Sequence, residues 1–121
     1  MFCIDERKSQ GWTILDVTGK VQAGGPEGIL RDKVKSLVLN GCRNILINMQ
    51  GVPSVDSMGL GTLIAAKISV DSGGGRLELV RLTQRIQDLM AMAGLLSYFS
   101  AFGSEQEAMA APRRQPALSA R

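Results

Sequence analysis

Apolar and polar residues alternate along this chain in two rhythms, one near two residues and one near three and a half. The segment WTILDVTG sets Trp12, Ile14, Leu15 and Val17 among small or polar residues and stops at Gly19, which predicts a strand. Phe2 to Glu6, across a turn containing Gly11, reads as its hairpin partner. In GGPEGILRDKVKSLVLNG, Pro26 suits a first helical position. Ile29, Leu30, Val34, Leu37 and Val38 then recur at helical spacing until Asn40 and Gly41. Asn44 to Met49 is short, rich in β-branched residues and nearly all apolar, as expected of a central strand buried on both faces. A second helix is predicted from Ser57 to Val70, with Leu60, Leu63, Ile64 and Ile68 on one side, ended by SGGG. Arg76 to Val80 has strand character. Arg85 to Gly94 carries Ile86, Leu89, Met90 and Ala93 at helical intervals, with Gly94 as the stop. Leu96 to Phe99 predicts a short edge strand. Ser104, three residues before Glu107, is a capping-box start for a last short helix, SEQEAMAA.

The order β-β-α-β-α-β-α-β-α joins a hairpin to βαβ crossovers and predicts an α/β fold, a mixed β-sheet of about five strands covered by about four helices. A chain of 121 residues suits one hydrophobic core. The expected division is a domain over residues 1–111 and a flexible basic tail over 112–121, PRRQPALSAR, which has two prolines and no apolar periodicity. That tail also explains the net charge of +3. Its Arg113, Arg114 and Arg121 face no acid, and the remaining bases equal the 11 acids in number. Neither direct nucleic-acid binding nor membrane contact is therefore expected. No apolar run reaches the roughly 18 residues of a membrane span, and Met1 to Asp5 lacks a basic segment followed by an apolar one, so the expected setting is cytoplasmic. Cys3 and Cys42 lie far apart and there is no histidine, so no metal site, disulfide framework or Ser-His-Asp triad can be written. No catalytic residue and no cofactor are predicted.

The segment GVPSVDSMGLGTL, from Gly51 to Leu63, joins the buried strand to the second helix. Gly59 and Gly61 each cost that helix roughly 0.5–1 kcal/mol relative to alanine, so something should require them. The expected requirement is close approach: without a Cβ at either position, the backbone beside Ser57 is bare to a partner or a kinase. The alternative is that Ser57 only caps the helix and the glycines pack against the sheet. Asp56 and Ser57 are both natural caps for the free amides of a first helical turn. A phosphate cradle is disfavoured, because the glycines after Ser57 lack the third member of the dinucleotide fingerprint. Gly19-Lys20 likewise lacks the upstream glycine and the following Ser or Thr of a P-loop.

The string VDSMGLG, preceded by NILINMQGV and followed by GGRL, by Ala93-Gly94-Leu95 and by Ser104-Glu105 with Glu107-Ala108, resembles the STAS family and in particular its stand-alone bacterial anti-sigma factor antagonists. The similarity runs from about Thr13 to Ala111. It implies a STAS-like fold and a non-enzymatic switch. Ser57 would be the phosphoacceptor for a partner that is both anti-sigma factor and serine kinase, and a serine phosphatase would restore it. The unmodified form would bind the anti-sigma factor and release the sigma factor for transcription. The expected partner surface joins the turn Gln22, Ala23 and Gly24 to the face carrying Asp56, Met58, Gly59, Gly61 and Thr62, because in a βαβ sheet both lie at adjacent strand ends.

Two departures from the family pattern bear on that expectation. Where many members carry Gly-Glu-Leu-Asp after the second strand, this chain reads Gly19-Lys20-Val21-Gln22, so both acids are absent. Met58 replaces a second serine and sets an adaptable apolar side chain beside the acceptor. The competing reading is a constitutive scaffold subunit of a stress-sensing assembly or of a lipid-transport ABC ATPase complex. An independent nucleotide binder would rest on the glycines alone.

Overall fold

The computed structural model describes residues 1–99 and 102–112; the expected tail therefore lies, from residue 113 on, outside the described residues. The hairpin is formed by β1 (Cys3–Ser9) and β2 (Trp12–Thr18). Between them Gln10 and Gly11 both adopt positive φ, 53° and 83°, as a two-residue turn matched to strand twist requires. Then follow α1 (Pro26–Leu39), β3 (Asn44–Gly51), α2 (Ser57–Ser72), β4 (Arg76–Val80), α3 (Gln84–Met92), α4 (Leu96–Phe99) and α5 (Glu105–Ala110). The sheet order is β1-β2-β3-β4, with β1 antiparallel to β2 and the other pairs parallel.

Register assigns each strand residue to one of two faces. Leu15, Ile47 and Leu79 stand side by side across the sheet, and their neighbours Ile14, Leu46 and Glu78 stand on the opposite side. The first face is covered by Leu30 and Val34 of α1, Leu63 and Val70 of α2, Ile86 and Met90 of α3, and Phe99 of α4. The second carries Trp12, Ile14, Leu46 and Val80 beneath Ala108 of α5. Because β3 is buried on both faces, truncating Leu46 or Ile47 to alanine should cost about 2–5 kcal/mol.

Two expectations are corrected here. Leu96–Phe99 is a single helical turn and not an edge strand. Leu95, Tyr98 and Phe99 repeat at the three- and four-residue spacing of a helix, Phe99 N–H donates to Leu95 O at 3.1 Å, and Phe99 is fully buried. The place beside β4 goes to Phe102, which makes an isolated parallel bridge with Val80. Among the described residues the sheet thus has four strands, not five, and five helices including the one-turn α4.

Charged groups fasten α5 to the second face. The Arg7 guanidinium donates to Asp16 at 2.6 Å and also to Glu105 at the start of α5, while Asn48 Nδ2 donates to Asp16 at 2.8 Å. Arg76 lies 5.2 Å over the Trp12 ring, donates to Glu78 at 2.9 Å, and reaches the carbonyls of Ala111 and Ala108 at 2.9 and 3.2 Å. On the other face Lys33 of α1 pairs with Glu6 at 2.5 Å. The hydrogen bond from Arg7, aided by that from Asn48, holds the Asp16 carboxyl below the usual range, and the Lys33 hydrogen bond does the same for Glu6.

A folded carboxyl with a depressed pKa contributes stability that is complete above its unfolded value, about 4, and is lost as pH falls through the folded value. Urea unfolding should therefore give constant stability from pH 7 to about pH 5 and a decline below about pH 4. In Arg7→Gln the difference between pH 7 and pH 3 should shrink. An unchanged difference would mean that Asp16 is not anchored by Arg7.

Candidate functional site

Residues 52–56 carry the chain from the C-terminal end of β3 into α2. Val52 and Val55 are buried and anchor this turn. Val55 forms a parallel bridge with Val21, the Val21 amide donates to Ser54 O, and the Asp56 amide donates to Val21 O, both at 3.2 Å. The β2–α1 and β3–α2 connections are thus zipped together at the C-terminal edge of the sheet.

Asp56 completes the joint. It is the N-cap of α2, with extended backbone, and its Oδ1 accepts the Gly59 amide at 2.8 Å. Its Oδ2 accepts the Ala23 amide at 2.9 Å. These backbone hydrogen bonds, that of Ala23 first and that of Gly59 next, hold its carboxyl below the usual carboxylate range although the residue is exposed. The cap is therefore Asp56, and Ser57 is left as the first helical residue. Ser57 is exposed, and its hydroxyl makes no hydrogen bond among the described residues.

The sequence-predicted partner residues divide into two groups. Gln22, Ala23, Gly24, Asp56, Met58 and Gly61 are exposed and gathered around Ser57 by the zipped connections, with Met58 56% accessible. A Cβ at Gly61 would meet nothing within 4 Å. Gly59 and Thr62 are buried, which revises the expectation that both face a partner. A Cβ at Gly59 would collide with the Val21 carbonyl oxygen and lie 2.9 Å from Val55 Cγ1, so that glycine exists for the chain's own close packing. Thr62 turns inward and its hydroxyl donates to Glu27 Oε2 of α1 at 3.1 Å.

Sequence reasoning missed the neighbouring wall. A cleft of about 430 Å³ separates the turn from α3, with Gln22, Ser54 and Asp56 on one side and Arg85, Leu89 and Met92 on the other. Met92 is 87% accessible. The one available signal was that Met92 falls outside the Ile86–Leu89–Met90–Ala93 stripe. Among the described residues, no helix is long and apolar enough to cross a membrane.

Residues 4–108 match the model of the STAS domain. This chain belongs to the STAS domain family. Its fold is shared with solved structures at low identity. One is a putative anti-sigma factor antagonist from Thermotoga maritima, 20% identical, with 88% of this chain and 91% of that one covered and a TM-score of 0.82. The anti-sigma factor antagonist SpoIIAA, a Bacillus cell fate determinant, matches in both its states. Its unphosphorylated form is 16% identical, with 90% and 94% covered and a TM-score of 0.66. Its phosphorylated form is 17% identical, with 90% and 96% covered and a TM-score of 0.68.

The two glycines of this STAS domain should respond oppositely to the same change. Gly59→Ala drives a methyl into the Val21 carbonyl and should lower stability by about 1–3 kcal/mol. Gly61→Ala adds a methyl to open space in a helix and should raise stability by about 0.4–1 kcal/mol. Denaturant unfolding of both variants checks the pair, and equal effects would show that Gly59 is not tightly packed. Asp56→Ala should be clearly destabilising because two amides lose their acceptor, whereas Ser57→Ala should stay within about 0.5 kcal/mol of wild type.

Proposed function

We propose that this STAS domain is an anti-sigma factor antagonist, and that its binding to an anti-sigma factor with serine kinase activity is switched off by phosphorylation of Ser57. The observation that carries the reading is the exposed Ser57 hydroxyl. It stands at the first position of α2, is relieved of capping by Asp56, and lies on a face kept low by Gly61. A kinase active site could reach this oxygen without opening the fold. The hydroxyl oxygen would take the γ-phosphoryl group of ATP, ADP would leave, and the hydroxyl proton would pass to a base of the kinase. A serine phosphatase would return the hydroxyl by transferring the phosphoryl group to water. An ATP-dependent kinase partner also implies a cytoplasmic setting.

The electrostatics of the turn support a local switch. Phosphoserine brings about 1.5–2 negative charges to a helix N-terminus, whose dipole and amides accept anions, so α2 should stay intact. The charge also arrives beside the Asp56 carboxylate, which its hydrogen bonds hold ionised. Added charge and bulk at a close contact would break binding through repulsion and steric exclusion. That SpoIIAA in either state superposes on this chain with nearly equal TM-scores, 0.66 and 0.68, fits a switch without refolding. The unmodified surface offers Gln22 to Gly24, Met58 and Gly61, extended across the cleft by Arg85 and Met92. The acids that many relatives carry at positions 20 and 22 are replaced by Lys20 and Gln22, so recognition here would lean on Met58 and Met92.

Incubation with an anti-sigma factor of the serine kinase type and ATP should add one phosphate, mapped to Ser57 by mass spectrometry. Modification at Ser54 or Thr62 with Ser57 untouched would sink the assignment. Partner affinity should fall in the order wild type, Ser57→Asp, phosphorylated chain, because aspartate supplies one charge and a smaller group. Salt beyond physiological strength, where the screening length drops below about 8 Å, should recover only the Coulombic part of the loss. Gly61→Arg should abolish binding with stability changed by less than about 1–2 kcal/mol. Equal affinity for all forms would leave the constitutive scaffold as the reading.

A further inference from the structure

A second cleft, of about 410 Å³, opens at the C-terminal ends of β3 and β4, and among the described residues it shares no lining residue with the cleft beside the Ser57 turn. Its wall is formed by Gln50, Arg81, Leu82, Thr83, Gln87 and Phe102, closed at the rim by Gly103. Among the described residues this lining contains one cation and no carboxylate. Arg81 sits there at φ 58°, a left-handed conformation that disfavours any residue with a branched-out side chain and that glycine or asparagine would adopt more easily. The surroundings impose it, since the Arg81 amide donates to Phe102 O at 2.9 Å and Thr83 caps α3 directly afterwards. An arginine at a position where glycine would be less strained points to a use for its guanidinium.

The donors of that guanidinium are only partly used. Nη1 donates to Gln50 Oε1 at 3.2 Å, and among the described residues no carboxylate lies within ion-pair distance of Arg81, its charge reaching Asp16 only at longer range. Nε and Nη2, which form the side-on fork that grips a carboxylate with two parallel hydrogen bonds, have no partner among the described residues. Leu82 and Phe102 add an apolar and an aromatic surface, and Gln87 holds the wall by donating to Leu82 O at 3.0 Å. The volume lies within the range of small-molecule clefts, and ligands of α/β folds gather outside the carboxyl ends of the strands.

We propose that this cleft binds a small planar carboxylate with an apolar body, the carboxylate on the Nε/Nη2 edge of Arg81 and the body against Phe102 and Leu82. The site is separate from the Ser57 turn and does not depend on the phosphorylation reading. The test is a titration of the full chain with benzoate at constant ionic strength, followed by amide chemical shifts, with acetate and chloride as comparison anions. Benzoate should saturate with a Kd of about 1 mM or tighter and shift the amides of Gln50, Thr83, Gln87 and Gly103. Arg81→Gly, which keeps the left-handed backbone without strain, should melt no lower than wild type and weaken benzoate at least about tenfold. Ser57→Ala should bind benzoate as wild type does. No saturable shift, undiminished binding in Arg81→Gly, or equal shifts from chloride would overturn the proposal.

Discussion

The carboxylate of Asp56 holds the functional end of this molecule together. A helix starting at Ser57 leaves its first amides without partners, and a loop returning from β2 must turn past the same point to enter α1. One side chain serves both, with one oxygen on Gly59 and the other on Ala23. The group is exposed, so its effect comes from hydrogen-bond geometry rather than from a low-dielectric surrounding. Without it the zipped backbone of Val21, Ser54 and Asp56 would have to keep the two connections aligned alone. The same choice releases Ser57: a helix already capped has no need of that hydroxyl. A phosphate there would enter a first turn whose amides are partly committed to another anion, which makes the turn a sensitive place to add charge.

Spacing around this joint shows how tightly sequence is tied to use. Two glycines two residues apart on α2 point about 200° from each other around the helix axis. One lets the helix descend onto the Val21 carbonyl, and the other leaves the outer surface flat beside Met58. Behind them, Thr62 ties α2 to Glu27 of α1 and Lys67 ties it to the sheet, donating to Leu77 O and pairing with Asp71, both at 3.3 Å. The Lys67 ammonium also stands 5.5 Å from the Tyr98 ring of α4. These inward polar links tie α2 to α1, to the sheet and to α4.

Most of the elements were readable from residue pattern, β3 as a short apolar run and α1 from Leu30, Val34 and Leu37 at helical spacing, but the inward face of α2 was not, since Ile68 is exposed and Thr62, Ala66 and Val70 are buried with Leu63. Leu96–Phe99 was misread because four residues are too few to separate the two periods; Leu95 and the pair Tyr98 and Phe99 had to be taken together to reveal the helical one. The missing fifth strand follows from the same place, since pairing along β4 is reduced to a single bridge at Phe102. At the site, Asp56 and Ser57 were equally good caps by residue type, and only backbone geometry could choose between them. Gly59 and Gly61 likewise look alike in sequence and differ by which way the helix faces. The α3 wall was hidden because Arg85 and Met92 come near the turn only through tertiary packing.

The charged contacts that fasten α5 lie on the other face of the sheet. Arg7 joins β1, β2 and α5 through Asp16 and Glu105, and Arg76 joins β4 to α5 while stacking on Trp12. Among the described residues, none of these clamps contacts Ser57 or Asp56. A charge added at the start of α2 therefore has no direct contact with the groups that secure α5.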